Sequence, residues 1–277
     1  MVTSDTVSSV RARLTARRRS HSHGSFRIRR MAIAGQGSAL LLFALGALAL
    51  AVLAAPRFAA QALLLPIHDE LGALQEGTPL AEDRLVRARD ALAMARRFDP
   101  GDGRLSSDLA LIELLEADKA GRGTPERQVK LEGAIADLER GLAESPANSF
   151  AWARLAGARL ALEGRPGAKM LAALRMSYAT GLYVDKIMPF RAGLALSHWE
   201  SLDPVLIGFA KRELVYLWER RGAWEANQLP LIKLLCETGR TGLLAQTLIE
   251  AHRSLAEFDK LYPTHLSPQG CAKLAAN

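Results

Sequence analysis

The chain has 277 residues, of which 49% are hydrophobic, and a formal net charge of +7 at pH 7. The whole charge excess lies at one end: residues 1–30 contain eight Arg and one acid, and the other 28 basic and 28 acidic residues cancel. A short basic arm on a neutral body argues against a nucleic-acid-binding domain, and we predict no nucleic-acid partner.

A long apolar segment follows the arm. Residues 31–55 carry no charge, and as a helix these 25 residues extend about 37 Å, more than a hydrocarbon core of about 30 Å requires. We therefore predict a disordered basic arm over 1–30 and a single-pass transmembrane helix over 31–55. The positive-inside rule makes the arm cytoplasmic and the residues after 55 periplasmic, in a bacterial inner membrane. A cleaved signal peptide is the alternative, but its apolar core is usually about 7–15 residues long.

The rest of the chain has the composition of helices. Ala, Leu, Arg and Glu dominate, Val and Ile together number 18, and no segment alternates with period two. We predict an all-α fold. It comprises a juxtamembrane helix or linker over 56–77 with a break near Pro66, helical hairpins over 78–180, a C-terminal helical region over 181–265, and a weakly ordered tail over 266–277. Thr78-Pro79 and Thr124-Pro125 each predict a helix start.

Small and apolar residues recur along 78–180 with the spacing of a helical repeat. One set is Ala134, Leu138, Gly141 and Pro146, continued in phase by Trp152, Leu155, Ala156 and Ala168; an earlier set is Ala88, Leu92, Ala95, Pro100, Leu109 and Ala110. These motifs resemble the tetratricopeptide repeat, or TPR, with its period of about 34 residues. Twelve additional residues separate the two sets, and we place them around residues 117–128.

The resemblance implies antiparallel helix pairs stacked into a short solenoid, followed by a C-terminal helical extension. Trp152 is then a packing residue between the helices of its own hairpin, and Pro146 ends the preceding helix. The chain departs from the repeat at Arg159, where an aromatic residue is usual, and no repeat can be phased beyond residue 180.

A narrower resemblance concerns residues 130–220. The basic arm, the single anchor and the stretches SPANSFAWARLA, ALRMS and RAGLALSHWESL are similar to small membrane-anchored TPR-like proteins encoded with bacterial exopolysaccharide biosynthesis genes. This resemblance implies an accessory role in polysaccharide assembly or export, with polysaccharide polymerase or export components as partners. We expect a non-enzymatic scaffold that binds an envelope protein, and the sequence leaves homo-oligomerisation open.

In a TPR-like hairpin the first helix lines a concave groove. The resemblance therefore predicts a partner-binding groove formed by Phe150, Ala153, Gly157, Leu160, Ala161, Arg104 and Leu111. Such a shallow apolar floor suits a partner helix or an extended segment better than a polyanion. Coverage of this face by the C-terminal helices is the alternative, which the sequence leaves open.

The sequence contains no catalytic or metal-binding motif that we could identify. The six His show no zinc-ligand spacing, and HExxH, GxSxG and phosphate-loop patterns are missing. We predict no cofactor, no metal and no enzymatic activity. Two alternatives stay open: a periplasmic glycan hydrolase with an unrecognised carboxylate pair, such as Glu113/Glu116 or Glu82/Asp83, and a scaffold for cell-division or secretion machinery.

The chain has two cysteines, Cys236 and Cys271, both in the part that we predict to face outward. They either pair as a disulfide in an oxidising compartment or remain as two buried thiols, and the sequence leaves both outcomes open.

Overall fold

The computed structural model describes residues 24–75, 78–219 and 224–276; side chains are described from residue 42 onward, except at 75, 224–228 and 275–276. The predicted arm over 1–30 therefore lies largely outside the described residues. Within the described part every regular element is helical, and the all-α prediction is confirmed. The residues divide into two compact units, one ending at Ala59 and the other beginning at Ala60.

The helices follow one another with short connections. They are α1 (Gly24–Leu64), α2 (His68–Gln75), α3 (Glu82–Phe98), α4 (Gly103–Lys119), α5 (Pro125–Glu144), α6 (Ser149–Glu163), α7 (Ala168–Thr180), α8 (Met188–Ser197), α9 (Pro204–Glu219), α10 (Trp224–Glu237), α11 (Thr241–Glu250), α12 (Ala256–Leu261) and α13 (Pro268–Ala276). Two short 3-10 helices, Leu65–Ile67 and Trp199–Ser201, and a π-helical turn, Tyr262–Leu266, complete the set.

Helix α1 carries the apolar segment. Every side chain from residue 42 to residue 58 is exposed, including Phe43 and Phe58. One stretch of the described chain, Leu42–Leu74, is long and apolar enough to cross a membrane by length and composition. The helix continues through Pro56 and gives way at Leu65–Ile67 to a 3-10 turn that contains Pro66, where we predicted a break.

Local capping explains most helix starts in the hairpin region. The Thr124 hydroxyl accepts a hydrogen bond from Arg127 N at the start of α5, and the Asn148 side chain accepts one from Ala151 N at the start of α6. The start predicted at Thr78 is wrong: α3 begins at Glu82. Thr78 N instead donates to the Ala73 carbonyl, 2.9 Å away, in the last turn of α2.

Three apolar clusters follow the chain order in the unit that begins at Ala60. The first joins α2, α3 and α4 around residues such as Leu85 and Leu92. The second joins α4 to α9 around Leu138 and Leu174, and the third joins α8 to α13 around Leu214 and Ile232. Each cluster is built from helices that are near neighbours in sequence, an arrangement that is typical of helical stacks.

The C-terminal residues have two features that the sequence analysis did not predict. Within the helical region predicted over 181–265, α11 ends at Glu250, because His252 adopts a left-handed conformation (φ 55°). Residues 268–276 form helix α13 in place of the weakly ordered tail that we predicted. A disulfide between Cys236 and Cys271, 35 residues apart, ties α13 to α10, so that of the two open outcomes the structure has the paired one.

Candidate functional site

The described part of the chain contains an apolar groove of about 530 Å³. Its walls are α4, α6 and residues 186–194, which lead into and form the first part of α8. Leu111, Leu114 and Leu115 on α4 face Phe150 and Gly157 on α6 across it. We call this concavity the α4–α6 groove. Its lining is mainly apolar, with charged residues at the rim.

Close backbone approach shapes one wall of the groove. A Cβ atom built on Gly157 would lie 2.7 Å from Phe190 Cζ, so the Phe190 ring rests directly on the α6 backbone. Phe190 nevertheless keeps 46% of its surface exposed. The C-terminal part of the chain thus narrows the predicted groove without closing it.

The structure brings together four of the seven predicted groove residues. Phe150, Gly157, Ala161 and Leu111 all line the α4–α6 groove. Arg104 lies instead in an adjoining smaller pocket, which shares Phe150 and Arg154 with the groove.

Two predicted groove residues are placed elsewhere. Ala153 is fully buried and cannot contact a partner. Leu160 is half-buried and packs against the second apolar cluster, so it serves the core of the domain. Both differ from the prediction because the packing of α6 against its neighbours covers more of the helix than the repeat spacing implies.

One arginine dominates the polar edge of the groove. Arg154 donates through Nη1 to the Ser107 carbonyl (3.1 Å) and to Asp108 Oδ1 (3.4 Å). Burial lowers the pKa of Arg154 and raises the pKa of Asp108, and each opposes the shift of the other. Lys186 and Asp118 stand at other points of the rim, so charges of both signs border the apolar floor.

The residues that match the repeat motif are mostly core residues. Those that are buried are Ala88, Leu92, Ala95, Leu109, Ala110, Ala134, Leu138, Gly141, Leu155 and Ala156. Ala168 is exposed, so the small-residue packing predicted there is wrong. Trp152 is half-buried, and its Nε1 donates to the Pro146 carbonyl at 2.8 Å. This hydrogen bond joins the Trp and the Pro of the SPANSFAW stretch.

A buried ion pair escaped the sequence analysis. Arg191 on α8 and Glu213 on α9 are both fully buried, and Arg191 Nε donates to Glu213 Oε1 at 3.0 Å. The guanidinium also donates to the carbonyls of Ser177, Gly181 and Leu182 and lies over the Tyr178 ring. Burial raises the pKa of Glu213 to about 7 against the effect of Arg191. The sequence feature that could have indicated this pair is Arg191 itself, an arginine within an apolar helical run.

The carboxylates considered for a hydrolase do not form an open pair. Glu116 binds Arg89 (2.7 Å) and Lys130 (2.5 Å), Glu82 binds Lys119, and Asp83 binds Arg87.

Glu113 differs from these paired acids. Its Oε2 is buried without a hydrogen-bond partner in the described part, against the Gly133 backbone. Burial, then Asp137, raises the pKa of Glu113 to about 7. A carboxyl in this environment becomes ionised only near pH 7, and Glu113 lies at the α4–α5 contact beside Gly133.

No group of His, Cys, Asp and Glu side chains within the described residues is arranged to hold a metal ion. The structure therefore offers an apolar, partly open groove with a charged rim as its candidate binding site. No protein-family model, no curated protein and no solved structure matches this chain.

Proposed function

We propose that this protein is a non-enzymatic, membrane-anchored scaffold whose helical domain binds an amphipathic helix of an envelope protein in the α4–α6 groove. The observation that carries the proposal is the groove itself, where leucines of α4 face Phe150 and Phe190 across about 530 Å³. A helix is the occupant because it offers an apolar stripe to the floor and polar side chains to Lys186 and Asp118, the exposed charged residues of the lining.

Three features support a location in the bacterial inner membrane with the helical domain outside. The arginine-rich residues 1–30 precede an exposed apolar helix that is long enough to span a membrane. The positive-inside rule then directs the rest of the chain outward. The disulfide between Cys236 and Cys271 suits the oxidising side of a bacterial inner membrane.

The stacked hairpins support a TPR-like arrangement. Helices α4 and α5 form one hairpin and α6 and α7 the next, with Trp152 at the start of the second. The sequence resemblance to TPR-like proteins of exopolysaccharide gene clusters makes a polysaccharide polymerase or an export component the partner to look for first.

The test is affinity capture of the full-length chain from mild detergent, with wild type and Phe150→Glu compared. Glutamate at position 150 should abolish capture of the partner, because it removes the aromatic contact and places a carboxylate against the apolar stripe of the bound helix. Phe98→Glu is the matched control, since Phe98 is 47% exposed on α3 outside the groove. A synthetic amphipathic helix from the captured protein should compete for binding.

Two results would contradict the proposal. Equal loss of capture in Phe98→Glu would show that the partner does not bind in the groove. Loss of helical circular dichroism in Phe150→Glu would show that Phe150 is a core residue. Orientation is tested separately: a periplasmic reporter fused after residue 60 should be active, and an inactive fusion would reverse the topology.

A further inference from the structure

A second concavity lies far along the chain from the α4–α6 groove. It measures about 420 Å³ and is formed by one face of α9, the end of α11 and Tyr183 in the loop before α8. The α9 residues that line it, Gly208, Lys211, Arg212, Val215, Tyr216 and Glu219, recur at three- and four-residue spacing and so form one continuous stripe. We call this concavity the tyrosine pocket.

Two tyrosines stack on each other in this pocket, and we call the surface that the stacked pair leaves exposed the platform. The rings of Tyr183 and Tyr216 are stacked with centroids 4.8 Å apart and planes 26° from parallel. Tyr183 is 50% exposed and Tyr216 is 38% exposed, and neither belongs to an apolar cluster of the domain. Core packing therefore does not account for the pair. Each ring uses one face in the stack, and its exposed surface remains for a ligand to contact.

Charged side chains surround the platform. Lys211 pairs with Glu250, and Arg253 Nε pairs with Glu219 Oε1 at 3.0 Å, so two ion pairs connect α9 with the end of α11 beside the tyrosines. Arg212 also lines the pocket and lies over the Phe209 ring. The described lining thus has three basic and two acidic side chains, which gives it donors, acceptors and one excess positive charge.

The edge formed by the end of α11 has an unusual backbone. Arg253 N donates to the Leu248 carbonyl (2.8 Å) and His252 N to the Ile249 carbonyl (3.0 Å), the hydrogen bonds of a helix end at which glycine is usual. Here the left-handed position holds an exposed histidine, at a cost of about 1 kcal/mol. This conformation sets Ala251 and Arg253, the lining residues on either side, at the edge of the pocket.

We propose that the tyrosine pocket binds an acidic saccharide. A pyranose ring has an apolar C–H face that can lie on the Tyr183–Tyr216 platform. Its hydroxyl edge matches the mixed donors and acceptors of the two ion pairs, and a ring carboxylate meets the excess positive charge. This site shares no lining residue with the α4–α6 groove, so it stands independently of the proposed scaffold function.

Other ligand classes fit the same residues less well. A phosphate dianion carries two negative charges, whereas the lining has one excess positive charge, and a quaternary ammonium would meet three basic side chains. A purely apolar ligand would have to desolvate five charged groups. A saccharide satisfies the aromatic faces and the charged rim together.

The test is isothermal titration calorimetry of the full-length protein in detergent micelles with trigalacturonic acid and, for comparison, maltotriose. We expect the acidic trisaccharide to bind more tightly than the neutral one. Tyr216→Ala and Tyr183→Ala should each weaken its binding about tenfold or more, whereas Tyr216→Phe should keep it within about threefold, because the ring supplies the contact. Tyr262→Ala is the matched control, since Tyr262 is 40% exposed and lies outside the pocket.

Circular dichroism on each variant separates loss of binding from loss of folding, and Tyr216→Phe keeps the test valid if an alanine variant unfolds. Absence of binding to wild type would overturn the proposal. Equal affinity for the two trisaccharides would overturn the preference for acidic sugars, and equal weakening by Tyr262→Ala would remove the platform from the site.

Discussion

A close backbone contact between α4 and α5 offers a sharp test of the hairpin region. Gly103 at the start of α4 and Gly141 near the end of α5 face each other: a Cβ atom on Gly141 would lie 2.6 Å from the Gly103 carbonyl oxygen. The same Cβ atom would lie 2.9 Å from Ser107 Oγ. The carbonyl belongs to the backbone and cannot rotate away, so in Gly141→Ala the two helices must separate.

The expected cost is the difference between two effects. Overpacking of this kind costs about 3 kcal/mol, at the upper end of the usual range, because a backbone atom must move. Alanine in place of glycine inside a helix stabilises the folded state by about 1 kcal/mol. We therefore expect Gly141→Ala to lower the free energy of unfolding by about 2 kcal/mol, which corresponds to a Tm about 4–8 °C lower in a domain of this size.

The assay is thermal unfolding of the full-length protein in detergent, followed by circular dichroism. Gly208→Ala is the control, because a Cβ atom there would have no neighbour within 4 Å, and it should raise the free energy of unfolding by about 1 kcal/mol. If Gly141→Ala is as stable as Gly208→Ala, α4 and α5 do not approach as closely as described, and the reasoning fails.

Three further predictions concern groups in the folded domain. The pKa of Glu113 is raised to about 7 in the folded state from about 4.3 in the unfolded state, so this group contributes fully to stability below about pH 4 and loses that contribution as the pH rises through 7. Thermal unfolding measured from pH 5 to 8 should therefore show a steeper decline in Tm for wild type than for Glu113→Gln. Parallel declines would refute this. Cys236→Ser should lower the free energy of unfolding by about 4 kcal/mol, because the disulfide closes a loop of 35 residues. Reduction of the wild-type protein should lower the Tm by the same amount as this substitution. If neither change lowers the Tm, the bridge is absent. Arg191→Met should lower the free energy of unfolding, measured by denaturant titration, by about 3–5 kcal/mol, because it leaves buried Glu213 without its partner. The double variant Arg191→Met/Glu213→Leu should recover part of the loss. A single variant as stable as wild type would contradict the buried pair.

Short-range chemistry made much of the fold predictable. Thr124 and Asn148 start helices through hydrogen bonds to residues three positions ahead, and Pro66 falls in the 3-10 turn that follows α1. Where a cap candidate failed, at Thr78, the backbone had found a partner in the preceding helix. The end of α11 at His252 could not be predicted either, because it formed without the glycine that usually marks such a helix end.

The candidate sites were predictable in part. The resemblance to the tetratricopeptide repeat placed Phe150, Gly157 and Ala161 in a groove, and these three residues line the α4–α6 groove. It did not show that Ala153 is buried or that Phe190 supplies the opposite wall, because Phe190 lies 33 residues beyond Gly157 in the chain. The tyrosine pocket was missed for the same reason, since Tyr183 and Tyr216 belong to different elements.

The sequence by itself determined the helical class, the charge-free apolar segment 31–55 and the helix start at Thr124. These depend on composition and on hydrogen bonds between residues about four positions apart, which local residue types decide. Only the tertiary structure decided which apolar face stays open, that Arg191 meets Glu213, and that Cys236 meets Cys271. Contacts of this kind select one partner among many chemically similar residues, and that selection is made by the packing of whole helices against each other.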